Sequence, residues 1–105
     1  MNIIPAGGAG IVVFNVFPVR PDNQQALVDR IRGAGDVSDI PGLLGMRLLR
    51  GLDGTQVINH MRWESRAAFE TANGGDPRIA TAMKRVHELI EGTGPYRYEV
   101  AAVLK

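Results

Sequence analysis

Hydrophobic and polar positions along the chain switch between two periods. From Gly10 to Val19, GIVVFNVFPV is rich in β-branched and aromatic residues and predicts a strand. Its odd positions, Ile11, Val13, Asn15 and Phe17, share one face, because side chains alternate along a strand. A helical pattern follows from Asn23 to at least Ile31, with Ala26, Leu27 and Ile31 as its apolar face. Asp22 and Gln25 have the spacing of a capping box at its start. Pro41-Gly42 closes that segment.

LLGMRLLR, 43–50, predicts a second strand, and the turn GLDG leads through a hairpin to QVINHMRW, with Gly54 as the left-handed turn residue. Ser65 can cap a helix running through Ala72, which NGGDP then breaks. Asp76 and Pro77 suit the cap and first position of a further helix. Ile79, Met83, Val86 and Ile90 form its apolar face, and it ends before Gly92. PYRYEVAAVLK, 95–105, predicts the last strand. The order is β-α-β-β-α-β with the second helix split in two. This is the α+β, ferredoxin-like plan: one antiparallel sheet with helices on one face. The other face needs a cover, and pairing two such sheets in a homodimer is the economical solution.

A length of 105 residues allows a single domain, expected over 10–105 behind a flexible glycine-rich terminus at 1–9. With 45% hydrophobic and 22% charged residues the composition is globular. A net charge of +1 without a basic block offers nothing to nucleic acid or to a membrane surface. There is no cysteine, hence no disulfide, thiolate nucleophile or Cys-based metal site. No signal sequence or apolar run of membrane-spanning length is visible, so a cytoplasmic location is expected. GGAG precedes a strand and matches neither dinucleotide-binding nor P-loop spacing. The two histidines, His60 and His87, are too few for a histidine metal site, and each is read as structural.

The stretch VINHMRWES, 57–65, carries the candidate chemistry. Val57, Asn59, Met61 and Trp63 share a strand face, so an amide and the single tryptophan stand where core residues are expected. Asn15 interrupts the first strand in the same way. Taken singly, each Asn is read as a satisfied core amide, and Trp63 as core or dimer filler. If the first and third strands are neighbours, Asn15, Asn59 and Trp63 project to the same helix-covered side. Two amides and an indole in apolar surroundings suit a flat, partly polar aromatic ligand.

The Asn59-x-x-x-Trp63-Glu64-Ser65 pattern, with FNVFPV, PGLLGM, DGTQVIN and DPR around it, resembles the antibiotic biosynthesis monooxygenase family. It is most similar to the anthrone oxygenases of aromatic polyketide pathways, the nogalamycin and actinorhodin types. That resemblance implies a dimeric α/β barrel of two ferredoxin-like subunits. It further implies oxygenation of an anthrone-like substrate to a quinone by dioxygen, with no metal, flavin or haem cofactor. Asn15, Asn59 and Trp63 would be the catalytic residues, and Phe17, Met61, Phe69 and Met83 would line the substrate pocket. The chain departs from the actinorhodin type at Phe69, Met83 and Leu49, where that type carries tyrosine, arginine and histidine, so relay roles at those positions do not transfer. Haem degradation is disfavoured, because residues 65–75 hold no histidine. A quinol monooxygenase of the same family, or a non-catalytic dimeric module binding aromatic intermediates, are the alternatives.

Overall fold

The computed structural model describes residues 10–33, 35–92 and 95–105. The expected flexible segment 1–9 lies outside them. The elements follow in the order β1 (Ile11–Pro18), α1 (Gln24–Arg32), β2 (Leu43–Arg50), β3 (Gln56–Trp63), α2 (Arg66–Gly75), α3 (Pro77–His87) and β4 (Tyr96–Glu99). The strands form one antiparallel sheet in the order β2-β3-β1-β4. The ferredoxin-like plan expected from the hydrophobic pattern is the fold of this chain.

The β2–β3 hairpin closes through Gly54, whose φ of +84° only glycine adopts without strain, and whose N–H bonds the Gly51 carbonyl at 3.0 Å. The buried side chain of Gln24 ties α1 to this hairpin, donating to the carbonyls of Gly51 (2.9 Å) and Gln56 (3.0 Å). Ser65 caps α2 through Oγ, which accepts from the Ala68 N–H at 3.0 Å. Asp76 caps α3 in the same manner, through Oδ1 and the Arg78 N–H at 2.9 Å. Gly42 allows the loop before β2 to lie on α2: a Cβ there would stand 2.4 Å from that of Ala68.

Four local expectations are corrected. Pro21 opens a 3-10 turn, Pro21–Asn23, so the chain is already helical at Asn23 and no capping box forms; Gln25 bonds Asp29 instead. Helix α2 continues past Ala72 to Gly75, its Ala72 carbonyl accepting from the Asp76 N–H, so the cap of α3 also terminates α2. Helix α3 stops at His87, because Ile90 is drawn to β1: it bridges to Val19, and the Glu91 N–H bonds the Pro18 carbonyl. Finally, β4 covers four residues rather than the whole tail. With Glu99 opposite Val13, only Ile11 and Val12 of β1 remain beyond it.

The helices cover one sheet face over two apolar clusters. Phe17, Leu27, Ile31, Val57 and Val86 pack beneath α1 and α3. Val13, Ile40, Met61, Trp63 and Ala72 pack beneath α2. Among the described residues, no helix covers the other face. It carries Phe14, Val16, Ile58, Leu49, Tyr96 and Tyr98, of which Leu49 is 38% and Tyr98 56% exposed. His60 lies in this face, edge-on to Phe14 with ring centroids 4.9 Å apart, and is buried.

Candidate active site

A cavity of about 80 Å³ opens where the two clusters meet, under the helices. It is far more enclosed than the groove of about 660 Å³ that runs outside α2 and holds none of the candidate residues. All seven residues singled out from the sequence line it. Asn15 and Phe17 come from β1, Asn59, Met61 and Trp63 from β3, Phe69 from α2 and Met83 from α3.

Their convergence follows from the sheet register. Asn15 is paired with Asn59, and Ile11 with Trp63, so the parity noted in the sequence puts all three polar side chains under the helices. Asn15 is also paired with Arg97 of β4, and Asn59 with Leu48 of β2. One row across the sheet therefore reads Arg97, Asn15, Asn59, Leu48. Trp63 is 1% exposed and meets Phe69 edge-to-face, with ring centroids 5.7 Å apart and an interplanar angle of 62°. Such a contact orients the indole within the wall of the cavity.

Among the described residues, the buried Asn59 Oδ1 and Trp63 Nε1 find no hydrogen-bond partner. Leaving one such group unsatisfied costs about 1–3 kcal/mol. Asn15 differs: its Oδ1 accepts from Arg97 Nε at 3.1 Å, and its Nδ2 donates to Met61 Sδ at 3.5 Å. Buried amides of both kinds thus face one apolar space. A ligand carrying a hydrogen-bond acceptor and a hydroxyl would satisfy the indole N–H and the Asn59 oxygen together.

Met46, Asn73 and Arg97 are among the lining residues that escaped the sequence pattern. Met46 sits on the covered face of β2, so that Met46, Met61 and Met83 all line the cavity. Asn73 was hidden in the stretch expected to break α2. Arg97 belongs to a strand whose every residue is exposed, and only the pairing of β4 with β1 turns it toward Asn15. Alternation in the last strand was the one available signal for it. Arg78 lines the cavity too, but its charge is answered by Asp76 at 2.8 Å and by Asp39. The bonds to Asp76 and then Asp39 hold its pKa above the usual guanidinium value. Leu49, by contrast, points to the uncovered face and does not reach the cavity. Among the described residues no group of three or more His, Asp or Glu side chains converges as a metal site would require, and no helix is long and apolar enough to cross a membrane.

Comparison with known proteins gives a consistent picture. Residues 10–88 match the antibiotic biosynthesis monooxygenase family. Tetracenomycin-F1 monooxygenase of Streptomyces glaucescens is 33% identical over 67 residues, which is 62% of this chain and 59% of that protein. A Streptomyces coelicolor monooxygenase, from the gene ActVA-Orf6 and in complex with nanaomycin D, has a similar structure. Its TM-score is 0.74 at 31% identity, covering 92% of this chain and 93% of that one. SnoaB of Streptomyces nogalater, a cofactor-independent oxygenase, shares the fold with a TM-score of 0.69 at 18% identity, covering 93% and 97%.

Proposed function

The chain belongs to the antibiotic biosynthesis monooxygenase family, and from that premise we propose that it is a cofactor-independent monooxygenase oxidising an anthrone-like aromatic polyketide to a quinone. The observation that carries the reading is the pair of unpartnered buried groups, Asn59 Oδ1 and Trp63 Nε1, in the wall of an apolar cavity. The named activities of the Streptomyces relatives support the same class of chemistry.

The reaction is balanced without a cofactor. The anthrone methylene loses a proton to give an electron-rich enolate. That anion transfers an electron to dioxygen, the radical pair combines into a peroxide anion at the same carbon, which takes back the proton lost in the first step, and loss of water from the resulting hydroperoxide leaves the quinone carbonyl. The protein has to bind a flat substrate, favour its anion and exclude bulk water. Asn15 and Asn59 supply amide N–H groups to the developing oxyanion. Trp63, backed by Phe69, packs on the ring system and offers Nε1 to an oxygen of the substrate or of the hydroperoxide. Phe17, Met61 and Met83 complete the lining. Ligand pockets usually measure roughly 300–1,000 Å³, so the space of about 80 Å³ has to widen. Thioether chains at Met46, Met61 and Met83 can give way without a large packing loss.

A second copy of the chain covers the open sheet face in this reading. That face is too apolar and aromatic for water: Leu49, Tyr96 and Tyr98 are exposed beside Phe14, Val16 and Ile58. The absence of cysteine suits a reducing cytoplasm.

The test is oxygen uptake with a simple anthrone by chelator-treated enzyme, beside Trp63→Phe. Quinone formation well above the spontaneous rate, lost in the variant, is expected. Faster turnover of simple quinols would move the assignment to a quinol monooxygenase. Tight binding without acceleration would make the protein a shielding module for aromatic intermediates.

A further inference from the structure

Arg97 stands directly opposite Asn15 in the β1–β4 ladder. Its guanidinium donates from Nε to Asn15 Oδ1 and from Nη2 to Asn73 Oδ1, each at 3.1 Å. A guanidinium only donates, so the atom of Asn15 that faces it is the amide oxygen. The end of the Asn15 side chain directed to Met61 is therefore the nitrogen. One of its two N–H groups meets the weak thioether acceptor, and the other has no partner among the described residues. Asn59 has no such anchor, since its buried oxygen lacks a partner among the described residues.

The charge of Arg97 is also unanswered. Among the described residues it forms no ion pair, whereas Arg78, the other cation in the cavity wall, is paired with Asp76 and Asp39. Glu99, two residues on and on the same sheet face, is taken by Arg66. The cavity thus has one wall where an amide N–H2 lies beside a guanidinium that no described carboxylate pairs with and that solvent reaches on its outer side. Cations and amide donors so placed favour an anion over its neutral acid.

We propose that Arg97 is a positioning residue that fixes Asn15 with its amide nitrogen toward the cavity, and that its charge selects aromatic ligands carrying an ionised hydroxyl at that wall. This rests on the cavity being the substrate site, as argued above, and adds the ionisation state and orientation of what binds. An acidic phenol or enol would enter with its oxyanion toward Asn15 and its apolar rings toward Trp63.

The experiment uses alizarin, a hydroxyanthraquinone whose visible band moves to longer wavelength on ionisation, with unsubstituted anthraquinone as the control that cannot ionise. Bound to the wild-type protein, alizarin is expected to ionise about one pH unit below its value in water. In Arg97→Met that shift is expected to vanish and the affinity at neutral pH to fall about tenfold, with anthraquinone binding unchanged. Arg97→Lys keeps the charge and is expected to keep most of the ionisation shift. Asn15→Asp leaves an oxygen for Arg97 but replaces the inward N–H2, and is expected to abolish alizarinate binding even if Arg97→Met folds poorly. In oxygen uptake, Arg97→Met is expected to lower kcat/KM about tenfold, and by clearly less in an Asn15→Ala background, where only the contribution of the charge is left to lose.

An unchanged ionisation midpoint in Arg97→Met, or losses from Arg97→Met and Asn15→Ala that multiply independently, would overturn the proposal. Failure of the wild type to bind either dye would overturn it together with the pocket assignment. A wild type that shifts alizarin through Arg97 but consumes no oxygen would support this inference and remove only the oxygenase reading.

Discussion

Asn15 and Asn59 stand directly opposite each other across the β1–β3 ladder, on the face that the helices cover. Opposed side chains in an antiparallel pair have Cβ atoms roughly 4.5–5.5 Å apart, so the two amides can reach one substrate oxygen. Each single change to Ala is expected to lower kcat for anthrone oxidation by on the order of 10²-fold. The double variant should lose clearly less than the product of the two, because both serve one site. Steady-state oxygen uptake on the four proteins checks this. Independent, multiplying losses would mean that the amides act at separate places.

Gly42 has φ of +81°, and a Cβ there would meet the Cβ of Ala68 at 2.4 Å. Gly42→Ala is expected to cost at least about 1–3 kcal/mol from the backbone conformation alone, with the clash against α2 in addition. Ala68→Gly in the same chain should recover the part due to the clash and leave the backbone part. Urea denaturation of the two variants and the wild type separates these contributions. Equal stability of Gly42→Ala and wild type would show that the loop moves away from α2 without penalty.

Leu49 is 38% exposed on the open sheet face, beside Ile58. If that face joins two copies, Leu49→Glu places two unpaired charges at the seam and should give a monomer by analytical ultracentrifugation, with its circular dichroism retained. A wild-type monomer at micromolar concentration would remove the dimer from the proposed function.

His60 is 5% exposed, and its pKa is held below the ordinary 6.5, first by burial and then by the charge of Arg47. Folding therefore favours the neutral imidazole. The sign follows from proton uptake: below pH about 6.5 the unfolded chain binds the proton more readily than the folded one. The stabilisation is complete above that value and is lost as pH falls through the folded-state pKa. Thermal melts at pH 7.5 and 5.5 are expected to show a larger fall in Tm for wild type than for His60→Gln. The same fall in both proteins would place the acid sensitivity elsewhere.

Much of the architecture was legible in the sequence because it depends on local chemistry. The β-branched runs, the Ser65 and Asp76 caps and Gly54 are short-range signals, and the structure uses each of them. Misreadings came where tertiary contacts outweighed local preference. Asn73, Gly74 and Gly75 read as a break, yet α2 runs through them to meet the cap of α3. Ile90 carries the helical period, yet it leaves the helix to bridge Val19.

The candidate site divides the same way. Alternation along two strands was enough to put Asn15, Asn59 and Trp63 on one face once those strands are neighbours, because parity is a property of the backbone and needs no coordinates. Which atoms of those side chains are satisfied is decided by partners distant in sequence. Arg97 reaches Asn15 across 82 positions, and only the pairing of an exposed edge strand with β1 brings it there. The sequence by itself determined the order of elements, the covered face and the residues that can share it. Tertiary structure alone decided that Asn15 is held by a cation while Asn59 and Trp63 keep an oxygen and an N–H without a partner among the described residues, since hydrogen-bond satisfaction depends on register and packing rather than on periodicity.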